Sequence, residues 1–365
     1  MLKSIVCASA LLVASCSAAP TVVSPQPPEN VAGSPIRGAI PGDAGARFLL
    51  EAVDTASETY LDLVGVPSGP HYTIKTDGYA PIGVAFGRSG KTAYAWFGTY
   101  DRSNKAVLAI IDVTKGKIVA KVITTGCGAT LALTPDGKTA VADNPCNDSV
   151  VLVSLRSRKV RASVPLTGLS NPTGLALDST GKTAYVVGNG GMAIVDIQHA
   201  RQIAGVPLPG GSCWQDSVTG VALAEGQRRA YAATCDQTKD APLVAVVDTQ
   251  SHRLVQTIDV GNGGAEWPLA VVASTRRPYV YVAVANFDGV TGQLVAIDTR
   301  TKRVSKNEAL SWAPAALAMS SNGEAVFATT WQGVVWFDTA PGGFQSGGSG
   351  LCCASDVDGF GSFVY

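Results

Sequence analysis

One sequence motif recurs at an interval of about 44 to 50 residues, and this repetition restricts the fold more than any other feature of the chain. In each copy a small apolar run leads into a glycine turn, which is followed by Ala-Tyr or an equivalent pair. The clearest copies span residues 81–94, 131–141 and 172–185, and further copies are centred on Ala222, Val272 and Ala318. Such an interval is typical of a four-stranded propeller blade.

Each copy continues into a second hairpin whose third strand ends in a polar residue. Aspartate takes this place in most copies and Ser154 takes it in the second: Asp112, Asp196, Asp248, Asp298 and Asp338. Asp and Ser at a strand end bond to nearby backbone groups and begin a turn. Because nearly every copy has one, we interpret these carboxylates as turn residues and not as catalytic groups.

The two ends of the repeat region each look like half of a blade. Residues 47–55 resemble a second hairpin with no first one, and residues 351–363 resemble a first hairpin with no second one. Pairing these halves would remove the exposed strand edges of an open ring. We therefore predict an all-β, seven-bladed β-propeller over residues 46–365, with a composite closing blade whose inner strands are C-terminal and outer strands N-terminal.

The turns of the repeat also resemble those of a known family. Residues 135–144 and 181–187 are similar to the YVTN-type β-propeller repeat, and the resemblance extends over residues 46–365. Relatives of this kind include envelope binding proteins, lactonase-like hydrolases and subunits of quinoprotein dehydrogenases. The resemblance therefore implies a fold but does not distinguish between these functions. No catalytic residue of these relatives can be assigned to a position in this sequence.

The first 45 residues predict export. Residues 1–19 have the pattern of a signal peptide, because a lone lysine precedes an apolar run too short to span a bilayer. Residues 20–45 are rich in Pro, Gly and Ser and predict a flexible tether. We expect a secreted protein without a transmembrane segment. The alternative is a membrane-anchored lipoprotein, since the residues around Cys16 resemble a site of lipidation.

Charge and histidine content argue against several functions. The chain has 28 basic and 28 acidic residues, so its net charge predicts no basic field and no nucleic-acid partner. His199 and His252 fall in predicted turns opposite the mouth of the ring, and His71 falls at the outermost strand. A Ser-His-Asp or Cys-His site needs an imidazole near the nucleophile, so we do not expect that chemistry.

Six cysteines lie beyond the predicted leader. Cys127 and Cys146 flank the inner hairpin of the second blade, as Cys213 and Cys235 flank that of the fourth, so we predict two loop-stapling disulfides. Cys352 and Cys353 are adjacent. They predict a vicinal disulfide, a pair of packed thiols or, as a third alternative, a metal pair.

Aromatic and polar residues are concentrated in segments predicted to lie on one face. Trp214, Trp267 and Trp312 precede inner strands, and Trp96 and Trp331 fall at the predicted exits of second strands, whereas Trp336 falls in a third strand and is expected to pack between blades. Polar residues predicted for the same face are Tyr79, Asn171, Asn189, Asp216, Glu266 and Asn286. Two interpretations remain open: a mouth that binds a flat or sugar-like small molecule or a protein, and rings that only cover seams between blades.

The leading functional hypothesis is a non-enzymatic binding or scaffold protein with its ligand at the propeller mouth. In the first alternative, Asp216 and Glu266 hold a divalent metal ion that polarises the carbonyl of a lactone or ester. A further alternative, based on the tryptophans and the Cys352–Cys353 pair, is a quinoprotein-type electron-transfer protein.

Overall fold

The computed structural model describes residues 48–54, 59–65, 71–76, 80–98, 105–128, 130–210, 220–236, 241–263, 266–288, 290–320, 323–330, 333–351 and 358–364. These residues form 28 strands and one 3-10 turn, Pro145–Asn147. The predicted signal peptide, tether and Cys16 lie outside the described residues.

The strands form seven four-stranded antiparallel sheets, each of which is one blade. Three strands come from the beginning of the chain: β1 (Phe48–Asp54), β2 (Thr59–Gly65) and β3 (His71–Lys75). Blade 1 contains β4 (Ala80–Phe86), β5 (Thr92–Gly98), β6 (Lys105–Asp112) and β7 (Lys117–Thr125). Blade 2 contains β8 (Leu131–Leu133), β9 (Thr139–Asn144), β10 (Ser149–Ser154) and β11 (Lys159–Pro165). Blade 3 contains β12 (Ser170–Leu177), β13 (Thr183–Asn189), β14 (Gly191–Asp196) and β15 (Arg201–Pro207).

The remaining blades repeat this order. Blade 4 contains β16 (Val221–Ala224), β17 (Arg229–Asp236), β18 (Ala241–Asp248) and β19 (Arg253–Asp259). Blade 5 contains β20 (Glu266–Ala273), β21 (Tyr279–Asn286), β22 (Gly292–Asp298) and β23 (Arg303–Leu310). Blade 6 contains β24 (Pro314–Met319), β25 (Ala325–Thr330), β26 (Gly333–Ala340) and β27 (Gly343–Leu351). Blade 7 is composite and joins β28 (Asp358–Val364) to β1, β2 and β3.

The composite blade confirms the predicted closure of the ring. The predicted number of strands from each end of the chain is corrected. The C-terminal region supplies only the innermost strand, β28, which pairs with β1 and contacts β24 and β4. The prediction of two strands from each end was wrong because Leu351 ends the outer strand of blade 6. Strand β27 is rich in glycine and lacks strand periodicity, so its sequence resembled a connection.

In blades 1 to 6 the described side chains of the second and third strands are largely buried, because each of these blades lies between two others. One apolar cluster joins Tyr231 and Val244 of blade 4 to Val280 and Val295 of blade 5. The outer strands behave differently: in β7 exposed and covered residues largely alternate, as expected for an edge strand with one face in solvent. The hydrophobic core is therefore a ring of inter-blade contacts.

Four of the predicted strand-end aspartates, Asp112, Asp196, Asp248 and Asp298, end a third strand and bond to the turn that follows, as predicted. The prediction was wrong for Asp338, which lies inside β26 and whose buried Oδ1 has no hydrogen-bond partner among the described residues. Asp248 Oδ1 accepts hydrogen bonds from the N–H groups of Gln250 (3.0 Å) and Ser251 (2.6 Å). These bonds, that of Ser251 first, lower the pKa of Asp248 to about 2 despite the opposing effect of desolvation. In Asp298 the side-chain hydrogen bond from Arg300 is the main cause of a pKa of about 2.

The innermost strands approach so closely that some positions have no room for a side chain. A Cβ atom at Gly174 in β12 would lie 2.6 Å from Val187 Cγ2 and 2.8 Å from the backbone nitrogen of Gly220, at the entry to blade 4. Gly205 in β15 is different, since its Cβ atom would have only Gln202 Nε2 nearby, at 3.5 Å.

Substitution of Gly174 by alanine should therefore push blades 3 and 4 apart. We expect Gly174→Ala to lower the free energy of unfolding by about 1–3 kcal/mol, and Gly205→Ala to change it by less than about 0.5 kcal/mol. Urea unfolding of the two variants would measure this difference. Equal midpoints for both variants and the parent protein would contradict the close approach of the inner strands.

Two sets of connections define the two faces of the disc. The face that we call the mouth face carries the connections after the second and fourth strands of each blade. The face that we call the turn face carries the connections after the first and third strands. No helix among the described residues is long and apolar enough to span a bilayer.

Candidate functional site at the propeller mouth

Aromatic rings are grouped where blades 5 and 6 meet the mouth face. Trp267, the second residue of β20, packs edge to face against Phe287, with 4.7 Å between ring centroids. Both side chains are partly exposed, as is Trp312 in the connection between β23 and β24. The N–H of Ala313 donates to the carbonyl oxygen of Val290 at 2.6 Å, which ties this connection to the one that carries Phe287.

A polar network is built around Glu266, the residue that precedes Trp267 in β20. Glu266 is only 3 % exposed, and each carboxylate oxygen accepts a hydrogen bond. Its Oε2 accepts from the N–H of Asn262 at 2.7 Å, and its Oε1 accepts from Gln293 Nε2 at 3.0 Å. Asn262 Nδ2 donates to Gln293 Oε1 at 2.6 Å, and Asn307 Nδ2 donates to Asn262 Oδ1 at 2.8 Å. These bonds fix the backbone that carries Trp267.

The environment of Glu266 also affects its protonation. Desolvation raises the pKa of this carboxyl group, the N–H of Asn262 lowers it, and the charge of Asp259 raises it further. The net shift is upward, because desolvation is the largest contribution. A carboxylate with both oxygens engaged by amide donors acts here as a brace for the loop, with its hydrogen-bonding capacity directed inward.

The metal-site hypothesis places Asp216 beside Glu266, and Asp216 lies outside the described residues. Within the described ranges, no group of three or more His, Cys, Asp or Glu residues is arranged to hold a metal ion. The divalent metal site therefore stays a prediction. Tyr79, Trp214 and Trp331 also lie outside the described part of the chain.

Asn171, predicted for the mouth, joins two blades. It has a left-handed backbone, with φ of 47°, and its N–H donates to Asp148 Oδ1 at 2.8 Å. Asp148 is itself left-handed at the entry to β10, with φ of 43°. The side chain of Asn286 is also engaged, since its Nδ2 donates to Thr291 Oγ1 at 2.7 Å. By contrast, Asn189 Oδ1 is buried and has no hydrogen-bond partner among the described residues.

The prediction that Trp96 lies at the mouth was wrong. Trp96 is in the middle of β5 and fully buried, where it packs with Leu108 and Leu131 between blades 1 and 2. The backbone of Gly128 lies against its indole so closely that a Cβ atom there would be 2.3 Å from Trp96 Cδ1. Trp336 is buried in β26, the third strand of blade 6, as expected for a packing residue.

The disulfide predicted for blade 2 is present. Cys127 and Cys146 are bonded, with their Cα atoms 5.5 Å apart. Asn144 supports the bridge, because its Oδ1 accepts from the N–H of Cys127 and its Nδ2 donates to the carbonyl oxygen of Thr125, both at 3.0 Å. Cys235 is also disulfide-bonded. Its predicted partner Cys213 and the Cys352–Cys353 pair lie outside the described residues.

Removal of this bridge should destabilise the protein measurably. For the double variant Cys127→Ala with Cys146→Ala, we expect a loss of about 3 kcal/mol, because the bridge closes a loop of 19 residues and restricts the unfolded chain. Thermal unfolding under non-reducing conditions would test this, with parent and variant compared at equal concentration. An unchanged midpoint would show that the bridge has no stabilising role.

The histidines lie away from the mouth, as predicted. His199 and His252 are in turns of the turn face, and His71 begins the outermost strand of blade 7. His199 Nδ1 is 2.7 Å from Asp196 Oδ2 within its own turn. Sequence reasoning missed Phe287, Asn262, Gln293 and Asn307, because only the closed ring brings these residues to Glu266 and Trp267.

Comparisons with known proteins support the fold. No protein-family model matches the sequence. No curated protein matches it either. Hydrazine synthase from Kuenenia stuttgartiensis superposes on the chain with a TM-score of 0.60 at 18 % identity, over 72 % of this chain and 78 % of that one. At this identity the similarity shows the fold alone, and the chain is an all-β, seven-bladed β-propeller.

Proposed function

We propose that the protein is an exported binding protein whose ligand docks on the mouth face at Trp267, Phe287 and Trp312. The observation that carries this proposal is a pair of partly exposed aromatic rings next to a buried, hydrogen-bonded carboxylate, Glu266. Aromatic walls with a few fixed polar groups are typical of sites for flat or sugar-like ligands. Binding at such a site needs no nucleophile.

Two features support export. The first 19 residues have the pattern of a signal peptide. A disulfide such as Cys127–Cys146 persists in oxidising compartments and is rare in the cytosol. Plain secretion and lipid attachment at Cys16 differ in the mass of the mature protein, so intact mass spectrometry of the native protein separates them.

A ligand screen tests the proposed site. Thermal unfolding of the non-reduced protein would be followed with sugars, quinone cofactors, lactones and divalent metals, beside the variants Trp267→Ala and Trp312→Ala. A ligand at one hundred times its Kd adds about 2.7 kcal/mol to the free energy of unfolding. We expect a shift with a sugar or quinone that is lost in both variants. A shift that survives in both would contradict the proposed site.

A further inference from the structure

Within the described part of the chain, the two faces of the disc carry opposite charge. The twelve turns of blades 1–6 on the turn face, counted from the last residue of one strand to the first of the next, contain 18 Lys and Arg but eight Asp and Glu. The described residues of the mouth-face connections, counted in the same way, contain seven Asp and Glu but two Lys. From the zero net charge we expected no basic field, and this expectation was wrong. The expectation that the protein has no nucleic-acid partner stays a prediction.

Most acidic groups on the turn face are already neutralised by neighbouring groups. Asp112 pairs with Lys115 at 2.9 Å and Asp298 with Arg300 at 2.7 Å. Asp248 pairs with Arg229, and Glu324 pairs with Arg276. These carboxylates are therefore paired with cations of the same face, and the remaining cations face solvent.

Five of the surplus cations form a partial ring, which extends over five of the seven blades and which we call the ring. The outer strand of each blade from 1 to 5 begins with an exposed lysine or arginine: Lys117, Lys159, Arg201, Arg253 and Arg303. None of the five has an ion pair or a side-chain hydrogen bond with another described residue. Because they occupy the same position in successive blades, they lie around the edge of one face.

The turns that carry this ring form a continuous surface. The N–H of Ser179 donates to Gln227 Oε1 at 2.8 Å, which joins blades 3 and 4, and Arg276 bonds to Glu324 across blades 5 and 6. The exposed large aliphatic side chains of the described residues lie on outer strands, as Ile203 and Val255 do, or on the mouth face at Val290. Contact through the turns would therefore be electrostatic.

A cleft of about 360 Å³ opens on the same face between blades 1 and 2. Lys91, Tyr94, Leu155 and Arg158 are among its lining residues. The tyrosines equivalent to Tyr94 in blades 4 and 5 have bonded hydroxyl groups: Tyr231 donates to Glu225 at 2.6 Å, and Tyr281 donates to the carbonyl oxygen of Gly343 at 2.9 Å. The hydroxyl of Tyr94 has no such bond within the described residues, so the cleft is lined by this hydroxyl group and two cations beside Asp112, whose carboxylate is paired with Lys115.

We propose that the turn face docks on the surface of an anionic lipid bilayer. Single cations spread over five blades can all approach a planar anionic surface at once, whereas a linear polyanion would reach only an arc of the ring. Each Lys or Arg near such a surface strengthens the attraction, and salt weakens it. The acidic mouth face would then point away from the membrane with its aromatic site accessible.

Vesicle sedimentation with the full chain tests this proposal. The probes are vesicles of phosphatidylcholine mixed with phosphatidylglycerol and vesicles of phosphatidylcholine alone, each at low and high salt. The test variant is Lys159→Glu with Lys182→Glu on the turn face. The matched control is Lys75→Glu with Lys105→Glu, which changes the net charge equally on the mouth side. We expect salt-sensitive binding to the anionic vesicles only, weakened more than about tenfold in the test variant and retained in the control.

Three results would overturn the proposal. Equal binding to neutral vesicles would assign attachment to the N-terminal segment or a lipid on Cys16. If both double variants bind the anionic vesicles equally weakly, binding depends on the net charge of the protein and not on the position of the cations in the ring. If the protein binds linear polyphosphate but no vesicles, the ligand of the turn face is a linear polyanion. Thermal unfolding of both variants would show that each is folded.

Discussion

Removal of residues 358–365 should abolish cooperative folding of the whole ring. Strand β28 pairs with β1 over residues such as Leu49 and Val364 and contacts the inner strands of blades 1 and 6. Without it, β1 loses one of its two ladder partners, and the inner strands β4 and β24 lose their contacts with β28. A domain is stable by only about 5–15 kcal/mol, so we expect loss of the sharp thermal transition together with self-association.

Size-exclusion chromatography and thermal unfolding would measure this effect. The control is deletion of residues 20–45, the predicted tether, which we expect to leave the midpoint unchanged. A truncated protein that stays monomeric with the parent midpoint would show that the ring does not depend on closure by the C-terminal strand.

Replacement of Trp96 by alanine should destabilise the protein more than Gly174→Ala or the loss of any tryptophan at the mouth. Its indole is fully buried between blades 1 and 2, and truncation of such a residue leaves a cavity that costs about 3–5 kcal/mol. Trp312→Ala is the matched control, because Trp312 is partly exposed on the mouth face and we expect a loss below about 1 kcal/mol.

Urea unfolding of the two tryptophan variants gives the comparison. Equal midpoints would contradict the burial of Trp96 between blades 1 and 2 and would agree with the mouth position that the sequence pattern predicts. Trp96→Phe separates volume from polarity: it keeps an aromatic ring and removes an indole N–H that has no hydrogen-bond partner among the described residues. We expect this variant to be more stable than Trp96→Ala.

The repeat made most of the fold predictable. Copies near Pro81, Pro172 and Ala222 each begin a blade, and four of the five strand-end aspartates close turns as expected. The division of blade 7 was not predictable, because the glycine-rich segment of β27 has no alternation of apolar and polar residues. Pairing with β26 defines that strand, and the sequence pattern does not contain this information.

The candidate site was predictable only in part. Trp267 and Trp312 were recognised because a residue near the start of an inner strand falls on the mouth face, although Trp267 is the second residue of β20 and does not precede it as predicted. The partners of Glu266 were missed, since Gln293 is 27 residues away and Asn307 is further still. The charge of the turn face was missed for a related reason: a net charge sums over the chain, whereas a field depends on which face each residue occupies.

Ligand binding through the aromatic rings of the mouth, with Glu266 as a structural brace, can be tested directly against metal-assisted hydrolysis. The measurement is of ligand-induced thermal shifts and lactone hydrolysis for Glu266→Gln beside Trp267→Ala, with both variants shown to be folded. We expect the shift caused by a sugar or quinone to persist in Glu266→Gln and to disappear in Trp267→Ala, without metal-dependent hydrolysis in the parent protein. A divalent-metal shift and lactone hydrolysis that are both lost in Glu266→Gln but kept in Trp267→Ala would contradict this account and assign the site to a metal-assisted hydrolase.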